Sequence, residues 1–488
     1  MPIDFPILNF QAIAPELVVV VAAFVVMFME LFVDDKRILG YISLVGLTMA
    51  AILNFSLMAS FAPPTFQTML ISDGYSLILN LIFIIAAALS ILISLSYLSD
   101  RELQHGEYYA LLLFATVGMM LMGAATDLII VFMGLEIMSI ALYILAAFNR
   151  QQLGSGEAGM KYFVLGAFAS AFFLYGVALV YGATGSTNLQ EIGSWFSADR
   201  GNLGDPIALV GLSLLLVGFS FKIAAVPFQW WTPDVYHGAP TSVTAFMSVG
   251  AKAAGFASLM RVLMISFGDA FTVDWQLAVA VLAVITMTGG NIAALAQKDV
   301  KRMLAYSSIA HAGYILVGVV PGTMNGVQGV LFYLLSYTFM NIGAFAVITV
   351  LERRSQVGSA IQDYAGLASR SPLLALAMLL FMVSLTGIPP FIGFWGKLYV
   401  FRAAVEANMS WLAVAGMINS AISAFYYLGI VVQMYMRPVA TAEDGDVAPA
   451  LKLSAPVVVT LVVTVIVTVI FGIWPTPLVD LTSLAVFG

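Results

Sequence analysis

Cysteine is absent from all 488 residues, and only three histidines are present. Without cysteine the chain cannot form disulfides, thiolate-bound zinc sites or iron–sulfur clusters of its own. A haem held by two histidines would need a second buried histidine beside His311, yet His105 and His237 fall in or beside loops. Walker-type phosphate loops and dinucleotide glycine fingerprints are also missing. The chain is therefore not expected to carry electrons, hold a metal, hydrolyse nucleotides or bind nucleic acid. Charge is scarce as well, at 9% of residues against about 25% in soluble proteins. What replaces it is apolar sequence: 61% hydrophobic residues and a mean hydropathy of +1.01. The composition is that of a polytopic membrane protein.

Apolar runs of the length a bilayer requires, about 20 residues, divide the chain into fourteen expected helices. They lie near 12–33, 39–62, 72–98, 107–125, 127–148, 159–183, 206–228, 240–267, 275–297, 302–320, 326–351, 372–404, 409–436 and 453–474, with room for a short extra piece in 206–240. The leading MPIDFPILNF carries no basic stretch or small-residue cleavage site, so the first helix reads as uncleaved. If loops after odd-numbered helices face the cytoplasm, they hold Lys36, Arg37, Arg101, Arg150, Lys298, Lys301, Arg302, Arg353, Arg354, Arg370, Arg437 and Lys452. The other side holds Arg200, Arg261 and Arg402, which is 12 against 3, and four intramembrane lysines complete the 19 basic residues. The positive-inside rule then predicts a multi-pass protein with both termini outside.

Two helices read as broken: GFSFKIAAVPFQWWTP, with Pro227 after Lys222, and SLTGIPPFIGFWGKLYVF, with Pro389 and Pro390 before Lys397. Proline removes a backbone donor and clashes with the preceding turn. Broken helices in corresponding places of two halves, with the lysine–proline order reversed, predict inverted repeats about a polar site. The expected architecture is an all-α membrane domain over 1–488 with two inverted five-helix repeats. Its parts are three N-terminal helices (1–106), a first repeat (107–267), a second repeat (275–436) and a C-terminal helix (437–488).

Lys161, Lys222, Lys252 and Lys397 stand inside these spans, where a charge costs roughly 2.5–3.5 kcal/mol on insertion scales. Lys252 lies too deep to reach the headgroups easily, whereas Lys161 is near a loop and competes with snorkelling. Glu136 is either a neutral, hydrogen-bonded carboxyl or the counter-ion of a lysine on a neighbouring helix. His311 suits a proton relay, and equally a structural bond to a carbonyl. Ser139, Ser307, Ser308, Tyr314, Tyr333 and Tyr337 are candidates to hold water or to join helices. Glu16 and Glu30 read as solvated or loosely paired, and Trp230, Trp231, Trp395, Trp411 and Trp474 as interface anchors. Asn291 and Asn341 are available to a sodium ion, but no deep aspartate accompanies them, which favours protons.

The segments GLEIMSIALYILAAF, FKIAAVPFQWWTPDVYHGAPTSVTAFMSVGAKAAGF, NIAALAQKDVKRMLAYSSIAHAGYILVG, DYAGL and TGIPPFIGFWGKLYVF together resemble the antiporter-like membrane subunits of respiratory complex I, over almost the whole chain. PDVYHGAPTSV is similar to the subunit N branch. The resemblance implies that Glu136, Lys161, Lys222, Lys252, Lys397 and His311 form a proton path, with Glu136 paired to Lys222 and with Lys252 and His311 bridging to Lys397. One departure is Gln229, where some members have histidine, so any relay there would run through water. The resemblance implies no cofactor in this chain; NADH, FMN, iron–sulfur clusters and quinone would belong to partner subunits. It implies as partners the other membrane subunits, sister antiporter-like chains among them, in a bacterial inner membrane. Two rivals are a subunit of a multi-subunit sodium/proton antiporter and a structural spacer whose lysines sit in fixed salt bridges.

Overall fold

A computed structural model of the chain describes residues 9–198, 205–268, 272–352, 359–438 and 453–487. Arg200, Arg353, Arg354, Lys452 and both chain termini lie outside the described residues. Among those described there are helices and isolated bridges but no strand. The order is α1 (Ala14–Met29), α2 (Arg37–Ala59), α3 (Gly74–Asp100), α4 (Gly106–Ala124), α5 (Leu128–Ala146), α6 (Leu153–Thr184), α7 (Leu189–Ala198), α8 (Pro206–Ile223), α9 (Trp231–Gly238) and α10 (Thr241–Phe246). A π-helical turn, Met247–Ala251, leads into α11 (Lys252–Ser266). Then come α12 (Thr272–Leu295), α13 (Val300–Val319), α14 (Met324–Glu352), α15 (Leu367–Arg370), α16 (Pro372–Thr386), α17 (Ile392–Glu406), α18 (Ser410–Met436), α19 (Ala455–Ile473) and α20 (Thr476–Ser483).

Eleven described helical segments are long and apolar enough to cross a membrane. α13 is long enough but less apolar, and α1 and the paired halves α16 and α17 are shorter. Each expected segment therefore contains helix, and the short piece expected within 206–240 is α9. The N-termini follow from local chemistry. Asp73 and Ser76 form a reciprocal capping pair, and Asp127, Asp205 and Asp299 each accept from a first-turn backbone N–H. Each satisfies donors that the helix itself leaves unpaired.

Burial separates central helices from peripheral ones. The apolar window of Thr241–Ser266 is buried throughout, and that of α14 nearly so, whereas α2, α6, α18 and α19 bury about a third. The exposed share on those outer helices is apolar, with Phe55, Phe163, Phe168 and Phe425 facing outward. Such a surface suits lipid rather than water. Every lysine expected in the interior except Lys161 lies on or beside the central elements.

Three expectations need correction. Glu16 is buried, and its carboxylate accepts from the Asn80 side-chain amide at 3.0 Å. Trp231 does not anchor at an interface; it is buried and stacked on Tyr162 with ring centroids 4.4 Å apart. Arg261, counted with the outer-side basic residues near the end of an expected helix, is 1% exposed and makes a two-pronged pair with Asp73 at 2.8 and 2.9 Å. Its guanidinium also lies over the Tyr75 and Phe487 rings, which ties the chain after α20 to the start of α3. Asp73 is thus buried at the start of α3 and already neutralised by arginine.

Candidate functional site

The first broken helix ends where its lysine sits. α8 closes at Lys222–Ile223, and Ala224 turns into the left-handed region at φ 60°. The interrupted backbone is satisfied from outside the helix. The Trp231 indole donates to the Phe221 carbonyl at 3.1 Å, and the Thr286 hydroxyl of α12 accepts from Val226 N–H at 2.9 Å. Non-helical backbone survives at membrane depth only with such partners. This also gives Trp231 its reason for burial.

Lys222 is 3% exposed, and its amine donates to Ser139 Oγ of α5 at 2.7 Å, with the Tyr143 and Tyr162 rings 5.9 and 5.5 Å away. Its stem packs beside Gly255 of α11, where a Cβ would meet Ile223 at 2.8 Å; glycine permits the approach. Glu136 lies one turn before Ser139 but makes no ion pair with Lys222. Its carboxylate accepts from the Ser170 hydroxyl of α6 and is only half-buried. A small cleft of about 10 Å³, lined by Leu135, Gly166, Ser170, Phe221 and Lys222, opens beside the amine. The direct pairing expected from sequence is therefore replaced by a spaced arrangement, because Ser139 takes the amine.

The second break mirrors the first in chemistry but not in connection. α16 ends at Thr386, followed by Gly387 at φ 89°. Lys397 lies six residues into α17 and reaches back across the gap. Its amine donates to the orphan Thr386 carbonyl at 2.8 Å and to Ser420 Oγ of α18 at 2.7 Å, and stands 4.6 Å from the Tyr314 ring centre. The C-terminal end of a helix carries partial negative charge, so both half-helix ends present an electrostatically suitable place for an ammonium.

Between the breaks lies Lys252, 2% exposed, directly after the π-helical turn. π-turns are uncommon, and they often mark functional positions. Its amine donates to both the carbonyl and the hydroxyl of Ser308 in α13. One turn further along α13, His311 is 1% exposed, with Tyr333 Oη 2.8 Å from Nδ1 and Tyr427 Oη 3.0 Å from Nε2. Lys222, Lys252 and Lys397 make no ion pair among the described residues. A spacer with lysines in fixed salt bridges would look different.

Lys161 is not brought to this interior. It is partly exposed and paired with Asp234 of α9 at 2.8 Å and with Glu157 at 2.6 Å. Asp234 is shared with Arg302 at 2.8 Å. Partial burial disfavours the charged carboxylate of Asp234, but hydrogen bonds from Lys161 and Arg302 outweigh it and hold the carboxyl below its ordinary value. Nearby, Asp299 is also held below that value: burial opposes this, while a hydrogen bond from His237 lies first among the effects that lower it.

Sequence reasoning missed Ser170, Thr286, Thr386, Ser420 and Tyr427, which partner Glu136, a lysine or His311 or patch a break. All are ordinary residue types in helices or at a helix end. Only the packing of distant segments, such as α16 against α18, gives them their partners. The π-turn likewise left no pattern in a segment of small residues.

The family described as NADH:quinone oxidoreductase/Mrp antiporter, TM matches residues 125–423, which include both breaks, Glu136, Lys161, Lys222, Lys252, His311 and Lys397. The chain belongs to this family. It is 48% identical to the NADH-quinone oxidoreductase subunit N of Trichlorobacter lovleyi, over 99% of this chain and 98% of the relative. Among solved structures, one chain of respiratory complex I from Thermus thermophilus is 33% identical with a TM-score of 0.79, covering 96% of this chain and 98% of that one. A chain of the Mrp complex from Dietzia sp. has a TM-score of 0.85 at 21% identity, over 98% and 97% of the two chains. That last likeness is one of fold. The family's membership spans both kinds of complex, so the site rather than the fold must carry the functional argument.

Proposed function

We propose that this chain is a proton-translocating membrane subunit of an NADH:quinone oxidoreductase. The observation that carries the reading is the set of three amines at membrane depth, buried without a carboxylate partner, two of them at the ends of interrupted helices. An uncompensated amine is costly there, so its proton is readily exchanged with a neighbour or with water. Redox chemistry is assigned to other subunits, with NADH, FMN, iron–sulfur clusters and quinone as their cofactors. Neighbouring membrane subunits, sister antiporter-like chains among them, deliver the energy as a change in local charge.

In this mechanism Glu136 communicates with Lys222 through Ser139 and a bridging water in the cleft. Movement of charge near Glu136 releases the Lys222 proton, and Lys252 and His311 pass the change toward Lys397. Lys161, held by Asp234, serves the basic end of the path. Gln229 contributes through water alone.

The reading includes fourteen crossings, with α16 and α17 together counting as one. It includes two inverted five-helix units, 107–267 and 275–436, after three N-terminal helices and before a last one, with 437–488 closing the domain. Contacts among helix ends support the alternation. Arg101, Lys301 and Glu352 meet at one end, at 3.8 and 3.6 Å, while Arg261 meets Asp73 at the other. The basic end is then cytoplasmic and both termini are periplasmic in a bacterial inner membrane.

The test is to replace Lys222 and, separately, Lys397 by alanine in the assembled enzyme and to measure NADH-driven proton uptake in liposomes. Uptake is expected to fall at least about tenfold in each, since a positioned proton-transfer group contributes about 10²–10⁴-fold. Unchanged stoichiometry in both variants would overturn the proposal.

A further inference from the structure

His311 is enclosed by hydroxyls from two other helices. Tyr333 of α14 meets Nδ1 and Tyr427 of α18 meets Nε2, and Tyr427 is hydrogen-bonded in turn to Ser307. All four side chains are 2% exposed or less. Ser308, the next residue, holds the Lys252 amine. At the far end Tyr333 packs on Gly396, where a Cβ would stand 3.4 Å from its ring, one residue before Lys397. The array therefore runs from the Lys252 side of the bundle to the Lys397 side.

A neutral imidazole has one N–H and one lone pair. With one hydroxyl neighbour on each nitrogen, it accepts from one tyrosine and donates to the other. Two orientations pair both ring nitrogens with the flanking hydroxyls. When a proton arrives at one nitrogen and another leaves the opposite nitrogen, the tautomer changes and each hydroxyl bond reverses. One proton enters and one leaves; no electrons move and no heavy-atom bond is made or broken. A buried network with two arrangements that each pair the imidazole is the kind of element that two distant sites can bias.

We propose that Tyr427 is a relay residue whose hydroxyl passes protons between His311 and Ser307, joining the Lys252 and Lys397 sides. This rests on the proton-translocating reading above. Its neighbour Tyr426 provides the contrast. The Tyr426 hydroxyl donates to Asn291 Oδ1 at 2.9 Å beside Tyr314 and Asn419, and its ring lies 4.4 Å from that of Tyr427, but it makes no hydrogen bond to His311 among the described residues. The two tyrosines are adjacent in sequence and both buried, yet only one touches the histidine.

The experiment uses the complete enzyme in liposomes and compares Tyr427→Phe, which keeps the ring and removes the hydroxyl, with Tyr426→Phe. Proton uptake is expected to fall at least about tenfold in Tyr427→Phe, with an enlarged solvent deuterium isotope effect, and to stay within about twofold in Tyr426→Phe. Uptake within about twofold of the parent in Tyr427→Phe, or an equal loss in both variants, would overturn the relay. If Tyr427→Phe does not assemble, Tyr333→Phe at the opposite nitrogen carries the same expectation and the same overturning result. Normal uptake in Tyr427→Phe alongside loss in the Lys222 and Lys397 variants sinks the relay only; normal uptake in all three sinks the proton-translocating reading too.

Discussion

At the first break the lysine belongs to the helix that ends there; at the second it reaches in from the helix that begins there. Lys222 occupies the last turn of α8 and turns its amine to Ser139, while the Phe221 carbonyl accepts from the Ala224 N–H and the Trp231 indole. Lys397 satisfies the free Thr386 carbonyl itself, with Ser420 beside it. The first amine has a half-exposed carboxylate nearby, across a small cleft, and so faces events at the chain's edge. The second has no carboxylate within ion-pair distance and is tied to backbone, a hydroxyl and the Tyr314 ring. Under the proton-translocating proposal, the first site would receive a charge signal and the second would exchange its proton with the interior.

The comparison can be broken most directly at Glu136. If a direct ion pair governed the first site, Glu136→Gln would equal Lys222→Ala in lost proton uptake. The spaced geometry instead predicts a smaller loss for Glu136→Gln, about two- to tenfold, measured in the same liposome assay. Equal losses would restore the direct pair.

Gly387→Ala is expected to damage the second break selectively. The left-handed conformation costs a residue with a Cβ about 1–2 kcal/mol, and that Cβ would lie 2.8 Å from Lys397 Cδ. A lower thermal midpoint for the solubilised complex, with reduced proton uptake, is the expected result. At the first break Thr286→Val leaves the Val226 N–H without its acceptor, for about 1 kcal/mol, read from the same midpoint. A stability change larger than that of Gly387→Ala would contradict the ranking.

The smallest effect is expected at Asp234→Asn, which removes the anion shared by Lys161 and Arg302. Surface pairs of this kind contribute under about 1 kcal/mol. Because the folded carboxyl is held below its ordinary value of about 3.9, its contribution is present above that pH and is lost as the pH falls through the lowered value. Parent and variant should therefore differ slightly at neutral pH and converge in strong acid, as judged by thermal midpoints across pH. A difference that grew in acid would reverse the assignment.

Much of the site was legible because burying an amine is costly enough to be conspicuous in a sequence. Lys222, Lys252 and Lys397 stood out against apolar surroundings, and the prolines marked the breaks near two of them. Lys161, near a loop and so already open to snorkelling, is turned by the fold toward Asp234 rather than the interior. Arg261 was misplaced: a position near a helix end looked accessible, but Asp73 on a distant helix buries it. Tyr427 had no signal at all beside Tyr426.

Composition and spacing alone determined that this chain lives in a bilayer, where its helices lie, which two are interrupted, and which amines pay the cost of burial. Those properties depend on transfer free energy and backbone chemistry, which each segment carries by itself. Tertiary structure alone decided the partners: serine for Lys222 and Lys252, a severed helix end for Lys397, two tyrosines for His311. Hydrogen bonds reach only about 3 Å, so they are set by how helices far apart in sequence come to lie against one another.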